Sequence, residues 1–174
     1  LLETLCVDLI GPYTIRRKCK SKPFILWAMT MIDPATGLLE IAEIKSQTAY
    51  VIANIAKTTW LTQYMWPEKV ICDRGSEFMA EFAVMCAAEY GFLNKTITAR
   101  NPQANAIVEQ VHQTLGNILR TMEIYNQDLD PVDPFGGILA ATMFAVRSTV
   151  STTTQATPLQ LVFGRDAVFN IPFK

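Results

Sequence analysis

The chain has 174 residues, half of them hydrophobic, and a formal net charge of −1. That is enough apolar material for one globular domain with a full core, and no apolar run reaches the roughly 18 residues of a membrane span. The near-neutral charge excludes a strongly basic, self-sufficient nucleic-acid binder, so any grip on DNA or RNA is expected to draw on further domains.

"LETLCVDLIG" reads as a strand that is apolar on both faces and therefore central in a sheet. A basic loop, "RRKCKSK", follows. "FILWAMTMID" and "GLLEIAEIK" form a hairpin, with Asp33-Pro34 opening the turn and Gly37 closing it. Residues 47–65 have helical periodicity, with Val51, Ile55, Ala56 and Trp60 expected to face inward. "WPEKVICD" is a turn and a short strand. Ser76 is a candidate N-cap for a helix that Gly91 ends. "FLNKTIT" is a further strand. In "NPQANAIVEQVHQTL", Asn105 reads as the N-cap of a helix, with residues 100–105 a short mobile loop before it. Ile107, Val108, Val111, Leu115, Ile118, Leu119 and Met122 then form one apolar stripe. Further helices are expected after Asp133-Pro134 and Thr157-Pro158. Three strands followed by alternating helices and strands imply an α/β fold: a mixed sheet covered by helices, in a single domain over residues 1–174. The chain opens in mid-strand, so it reads as a domain excised from a longer polypeptide.

Four cysteines without C-x-x-C spacing and a single histidine exclude a His/Cys zinc finger. Cys6 and Cys72 fall in apolar strands and Cys86 in a helical pattern, as buried thiols in a reducing compartment would.

Three carboxylates carry the chemistry. Asp8 interrupts an apolar strand, where an unpartnered charge is expensive. Asp73 ends the strand "KVICD", and strand carboxyl ends are where α/β sites form. Glu109 lies off the apolar stripe of its helix, in line with His112, Gly116 and Arg120. Taken singly, these are a strand-end aspartate, a turn aspartate and a solvated glutamate. Taken together, they could meet at one edge of the sheet, where three anions repel and a divalent cation relieves the repulsion. An all-oxygen set selects Mg²⁺ or Mn²⁺. Two such ions suit in-line displacement at a phosphodiester, with Asp8 bridging and no protein nucleophile required.

"VDLIGPY", "CDRGSEF" and "NPQANAIVEQVHQTL" resemble the catalytic core of retroviral and retrotransposon integrases, the D,D-35-E group. Here 35 residues separate Asp73 from Glu109. "AVRSTVSTTTQATPLQLVFGRD" resembles the closing segment of gypsy-type long-terminal-repeat elements. The resemblance implies an RNase H-like fold, a five-stranded mixed sheet with helices on both faces. It implies Asp8, Asp73 and Glu109 as catalytic metal ligands, holding two Mg²⁺ or Mn²⁺ ions when DNA is bound. The activity implied is 3′-end processing of retroelement DNA, then strand transfer into target DNA. The family also carries zinc-binding and C-terminal DNA-binding domains in the same polyprotein, and works in the nucleus or in cytoplasmic virus-like particles. Ala106 stands where a glycine is common, and Gln110 where a basic residue is common. Rival readings are an RNase H-like nuclease that only hydrolyses and a domesticated, non-catalytic interaction domain.

Secondary features fit DNA and self-association. Arg16, Arg17 and Lys18, with Lys20 and Lys22, form the densest basic run; Asn105, His112 and Arg120 flank the glutamate. These are candidate DNA contacts, each with an ordinary solvated reading beside it. Asp33 and Glu77 read as turn and helix-start residues. Residues 138–146 are apolar nearly all round, as in a buried helix. The resemblance implies instead a homodimer or higher homo-oligomer through this helix and that of residues 47–65, with Trp60, Tyr64 and Phe144 as candidate interface residues.

Overall fold

The strands are β1 (Thr4–Ile15), β2 (Phe24–Ile32), β3 (Leu39–Glu43), β4 (Lys69–Cys72) and β5 (Leu93–Asn94). They form one mixed sheet in the order β3-β2-β1-β4-β5. β1 and β3 run antiparallel to β2, while β4 pairs parallel with both β1 and β5. The two-sided apolar strand is indeed central. The computed structural model describes residues 2–15, 23–72, 84–85, 87–88, 93–94, 102–125, 129 and 132–165. The basic run at Arg16, Arg17, Lys18, Lys20 and Lys22 lies outside these residues. So do Asp73, Ser76, Glu77, Cys19, Cys86 and Gly91.

The helices are α1 (Ala49–Ala56), prolonged by a π-helical turn (Lys57–Leu61), α2 (Pro102–Tyr125), α3 (Gly136–Ser148) and α4 (Pro158–Phe163). They cover both faces of the sheet. On one face Leu5, Val7, Met29 and Met31 share a core with Ile52, Ala56, Trp60 and Leu61, and Leu159 and Val162 of α4 pack against it. On the other, Ile10, Ile15, Leu26, Ala28, Leu39 and Ile41 share a core with Val111, Leu115 and Leu119 of α2 and Ile138 and Leu139 of α3. The described part of the stripe read from the sequence, Val111, Leu115, Ile118 and Leu119, is therefore the core face of α2.

Turn chemistry fixes the connections. The buried carboxylate of Asp33 accepts from the Ala35 and Thr36 amides, the Thr36 hydroxyl at 2.7 Å and the Leu2 amide. Gly37, at φ 75°, closes the hairpin. Asp33 is thus the turn residue that its sequence context indicated. Thr157 and Gln160 form a reciprocal capping box at the start of α4.

Four expectations are corrected. α1 buries Ala49, Ile52 and Ala56, and Ile55 packs against the same core as expected, whereas Val51 is only partly buried. The π-helical turn after it re-phases the buried face, so that adjacent Trp60 and Leu61 both turn inward. Trp60 is fully buried within the domain and has no surface to offer a second copy. α3 is not buried all round: Ile138, Leu139 and Thr142 face in, while Phe144 is exposed. α2 starts at Pro102, which suits a first helical position, so Asn105 lies inside the helix instead of capping it.

The outer edge of β3 is closed by α3. Arg147 donates from Nε to the Leu39 carbonyl at 2.6 Å, and the Ile41 amide points at the Met143 sulfur. The Arg147 guanidinium also pairs with buried Glu40, which accepts a hydrogen bond from the Tyr64 hydroxyl. Burial, then Glu40, pushes the Tyr64 hydroxyl up to about 12.

In β1, Ile10 pairs with Ala28 but Tyr13 pairs with Leu26, so one extra residue is accommodated between them. Gly11 sits in this bulge at φ 118°, and a Cβ there would lie 2.6 Å from the Leu26 carbonyl oxygen. Both the dihedral and the contact exclude a side chain. Gly11→Ala is expected to destabilise the domain by about 1–3 kcal/mol or more, read as a lower midpoint in chemical denaturation.

Candidate active site

The bulge decides which β1 residues look at α2. Asp8 and Ile10 share one face by strand alternation, and the extra residue brings Tyr13 and Ile15 onto that same face. Asp8 pairs with Thr30 of β2, whose hydroxyl donates to the Asp8 carbonyl at 3.3 Å. The Leu9 amide donates to Asp8 Oδ1 at 2.8 Å. The Asp8 side chain remains 35% exposed, far more than its apolar neighbours Cys6 and Ile10.

α2 crosses this face. With Val111 and Leu115 buried, the next helix face carries Glu109, His112, Gly116 and Arg120. Glu109 is exposed, and the His112 ring leans toward the strand, its Nε2 3.9 Å from Asp8 Oδ2. That nitrogen is buried and has no hydrogen-bond partner. Burial holds the imidazole below its ordinary pKa of 6.5, opposed by the negative charges of Asp8 and then Glu109. Asp8 and Glu109, distant in sequence, therefore act on one ring. Gly116 lies over Tyr13, with ring carbon Cε1 3.9 Å from where a Cβ would be, so the helix face stays low there. Arg120 is exposed further along.

The third acid follows β4. That strand ends at Cys72 opposite Val7, the residue before Asp8; Asp73 is next in sequence and lies outside the described residues. Among the described residues no three of His, Cys, Asp and Glu form a ready metal cage. The described carboxylates nevertheless have the chemistry of hard-cation ligands: Asp8 is a third exposed, Glu109 is exposed, and both offer oxygen. The side chain of Asn105 lies outside the description. Thr30 and Tyr13 escaped the sequence reading. A threonine inside "FILWAMTMI" was the available signal for the first, whereas the second depends on the bulge.

Sequence and fold comparisons agree with the three motifs. The Pro-Pol polyprotein of feline foamy virus is 27% identical over 151 residues, covering 83% of this chain and 12% of that protein. The retrovirus-related Pol polyprotein from transposon 412 of Drosophila melanogaster is 26% identical over 170 residues, covering 98% of this chain and 13% of that protein. The chain thus spans about one-eighth of the length of these relatives. No family model matches it. The catalytic core domain of BIV integrase superposes with a TM-score of 0.63 at 17% identity, covering 94% of this chain and 95% of that one. The catalytic core domain of HTLV-2 integrase, in complex with magnesium, gives 0.63 at 16% identity, covering 92% and 96%. A simian T-cell lymphotropic virus intasome in complex with the PP2A regulatory subunit B56 gamma gives 0.68 at 16%, covering 99% and 58%. The fold is accordingly the RNase H-like fold of these cores.

The single histidine makes the electrostatics directly measurable. In metal-free protein its NMR titration is expected to have a midpoint below 6.5. Asp8→Asn removes a charge that favours the protonated ring, so it should move the midpoint lower still. An upward move would contradict the proximity of Asp8.

Proposed function

We propose that this chain, an integrase-type catalytic core of the retroviral and retrotransposon kind, carries out DNA integration: 3′-end processing of element DNA, then strand transfer into target DNA. The observation that carries the reading is His112 Nε2 lying 3.9 Å from Asp8 Oδ2, one helical turn after Glu109 on the same side of α2. Asp8, Asp73 and Glu109 are the residues that would hold Mg²⁺ or Mn²⁺, two ions with DNA bound. Bound there, the metal would activate an attacking oxygen and stabilise the leaving oxygen of a phosphodiester.

The remaining roles belong to the chain itself. The face at His112, Gly116 and Arg120 offers a low, partly basic track leading away from the carboxylates. Arg16, Arg17 and Lys18 follow β1 directly and are proposed to contact phosphate with them. The net charge of −1 leaves much of the DNA affinity to partner domains of the same polyprotein, and to a homodimer or higher oligomer. Exposed Phe144 remains a candidate for that association, and so does partly buried Tyr64. The closing segment, residues 145–166, leads us to place the source among gypsy-type elements, acting in the nucleus or in virus-like particles.

A strand-transfer assay in Mg²⁺, on the chain restored to the flanking domains of its polyprotein, tests the reading. Asp73→Asn is expected to lose about a thousandfold or more in joined product, as does removal of the metal by chelation. Equal product from variant and parent would sink the mechanism, and cleavage without joining would favour a nuclease. Separately, Arg120→Ala should weaken DNA binding evenly across sequences and lower the salt slope by about 1; an unchanged slope would remove Arg120 from the track.

A further inference from the structure

We infer that His112 is a positioning residue for Asp8, its Nε2–H steering the carboxylate into the orientation in which it receives a cation. The inference deepens the reading of Asp8 as a metal ligand and rests on it. His112 lies three residues after Glu109, one helical turn along α2 and on the same side of the helix. Its Nε2 is turned into the protein and faces Asp8 Oδ2 at 3.9 Å, just beyond hydrogen-bond range. The other carboxylate oxygen already accepts from the Leu9 amide at 2.8 Å. Two N–H donors, one from the strand and one from the helix, would then fix the plane of the carboxylate and leave lone pairs directed outward. A slight rotation of either side chain closes the gap.

The chemistry of the ring selects its tautomer. With the proton on Nδ1, Nε2 would present a lone pair to a carboxylate oxygen, two acceptors face to face. With the proton on Nε2, the ring presents a donor to an anion. A buried ring nitrogen with no partner is costly to keep unless a partner arrives when the site is used. Donors of this kind, one step removed from a metal ligand, orient the ligand and raise affinity for the ion.

The test begins with the unmodified full chain. Labelling histidine with ¹⁵N reports one imidazole, because the sequence holds one, and long-range ¹H–¹⁵N spectra at neutral pH distinguish the tautomers. The expected form carries the proton on Nε2; the Nδ1–H form overturns the inference without any variant. Mn²⁺ binding is then measured by calorimetry. His112→Ala is expected to bind about tenfold more weakly, and His112→Asn, which keeps an N–H donor, to recover most of the loss. Parent-like affinity in His112→Ala overturns the role of His112. The control is Asp8→Asn. If it loses Mn²⁺ while His112→Ala keeps it, the positioning role alone falls; if it too binds as the parent does, the metal site falls, and the inference with it.

Discussion

The roll of α2 on the sheet is the constraint from which the site follows. Val111, Leu115 and Leu119 recur at helical spacing and are all buried, in one core with Ile10 and Ile15 of β1. Once that stripe is down, 100° per residue leaves no choice about the rest. Glu109 and His112 come round to the side of the helix near Asp8, and Gly116 comes to rest over Tyr13. Rolling the helix by one residue would expose the apolar stripe and swing the carboxylate away together. Stability and the direction in which Glu109 leaves the helix are thus set by the same contact.

Much of this was legible because it follows from period and from turn chemistry. The two-sided apolar pattern around Asp8 placed β1 centrally, the Asp33-Pro34 and Gly37 signals gave the hairpin, and the 3.6-residue stripe gave α2 its core face. What remained hidden depends on events without a local signature. A π-helical turn after α1 re-phases the chain, so that Leu61 turns inward beside Trp60. A bulge at Gly11 changes which β1 side chains share a face. Asn105 offered a cap in sequence, but Pro102 starts the helix earlier. The proximity of His112 to Asp8 is a tertiary fact; sequence gave only the line of residues on one helix face. Asp73, the remaining acid of the trio, falls outside the described residues, so its place in the site rests on its position after β4 and on the motif.

Carboxylates on the sheet face three different environments, and the contrast is informative. Asp33 is fully buried and surrounded by amide and hydroxyl donors of its own turn. Glu40 is buried against the guanidinium of Arg147 and the hydroxyl of Tyr64. Both are held by fixed protein groups, as buried charge must be. Asp8 is on the central strand yet a third exposed, opposite a ring that burial keeps from charging readily. Its accessibility at the middle of the sheet is what sets Asp8 apart from the two buried acids.

The clasp of α3 on β3 has a bearing on growth of the sheet. A strand at a sheet border normally offers free amides and carbonyls to any extended peptide. Here the Leu39 carbonyl is occupied by Arg147 and the Ile41 amide is shielded by Met143. An intruding peptide that sought the Leu39 carbonyl would have to evict a cation anchored to Glu40. At Leu39 and Ile41, self-templated stacking into fibres is disfavoured by the fold itself, because an approaching strand meets side chains there instead of bare backbone.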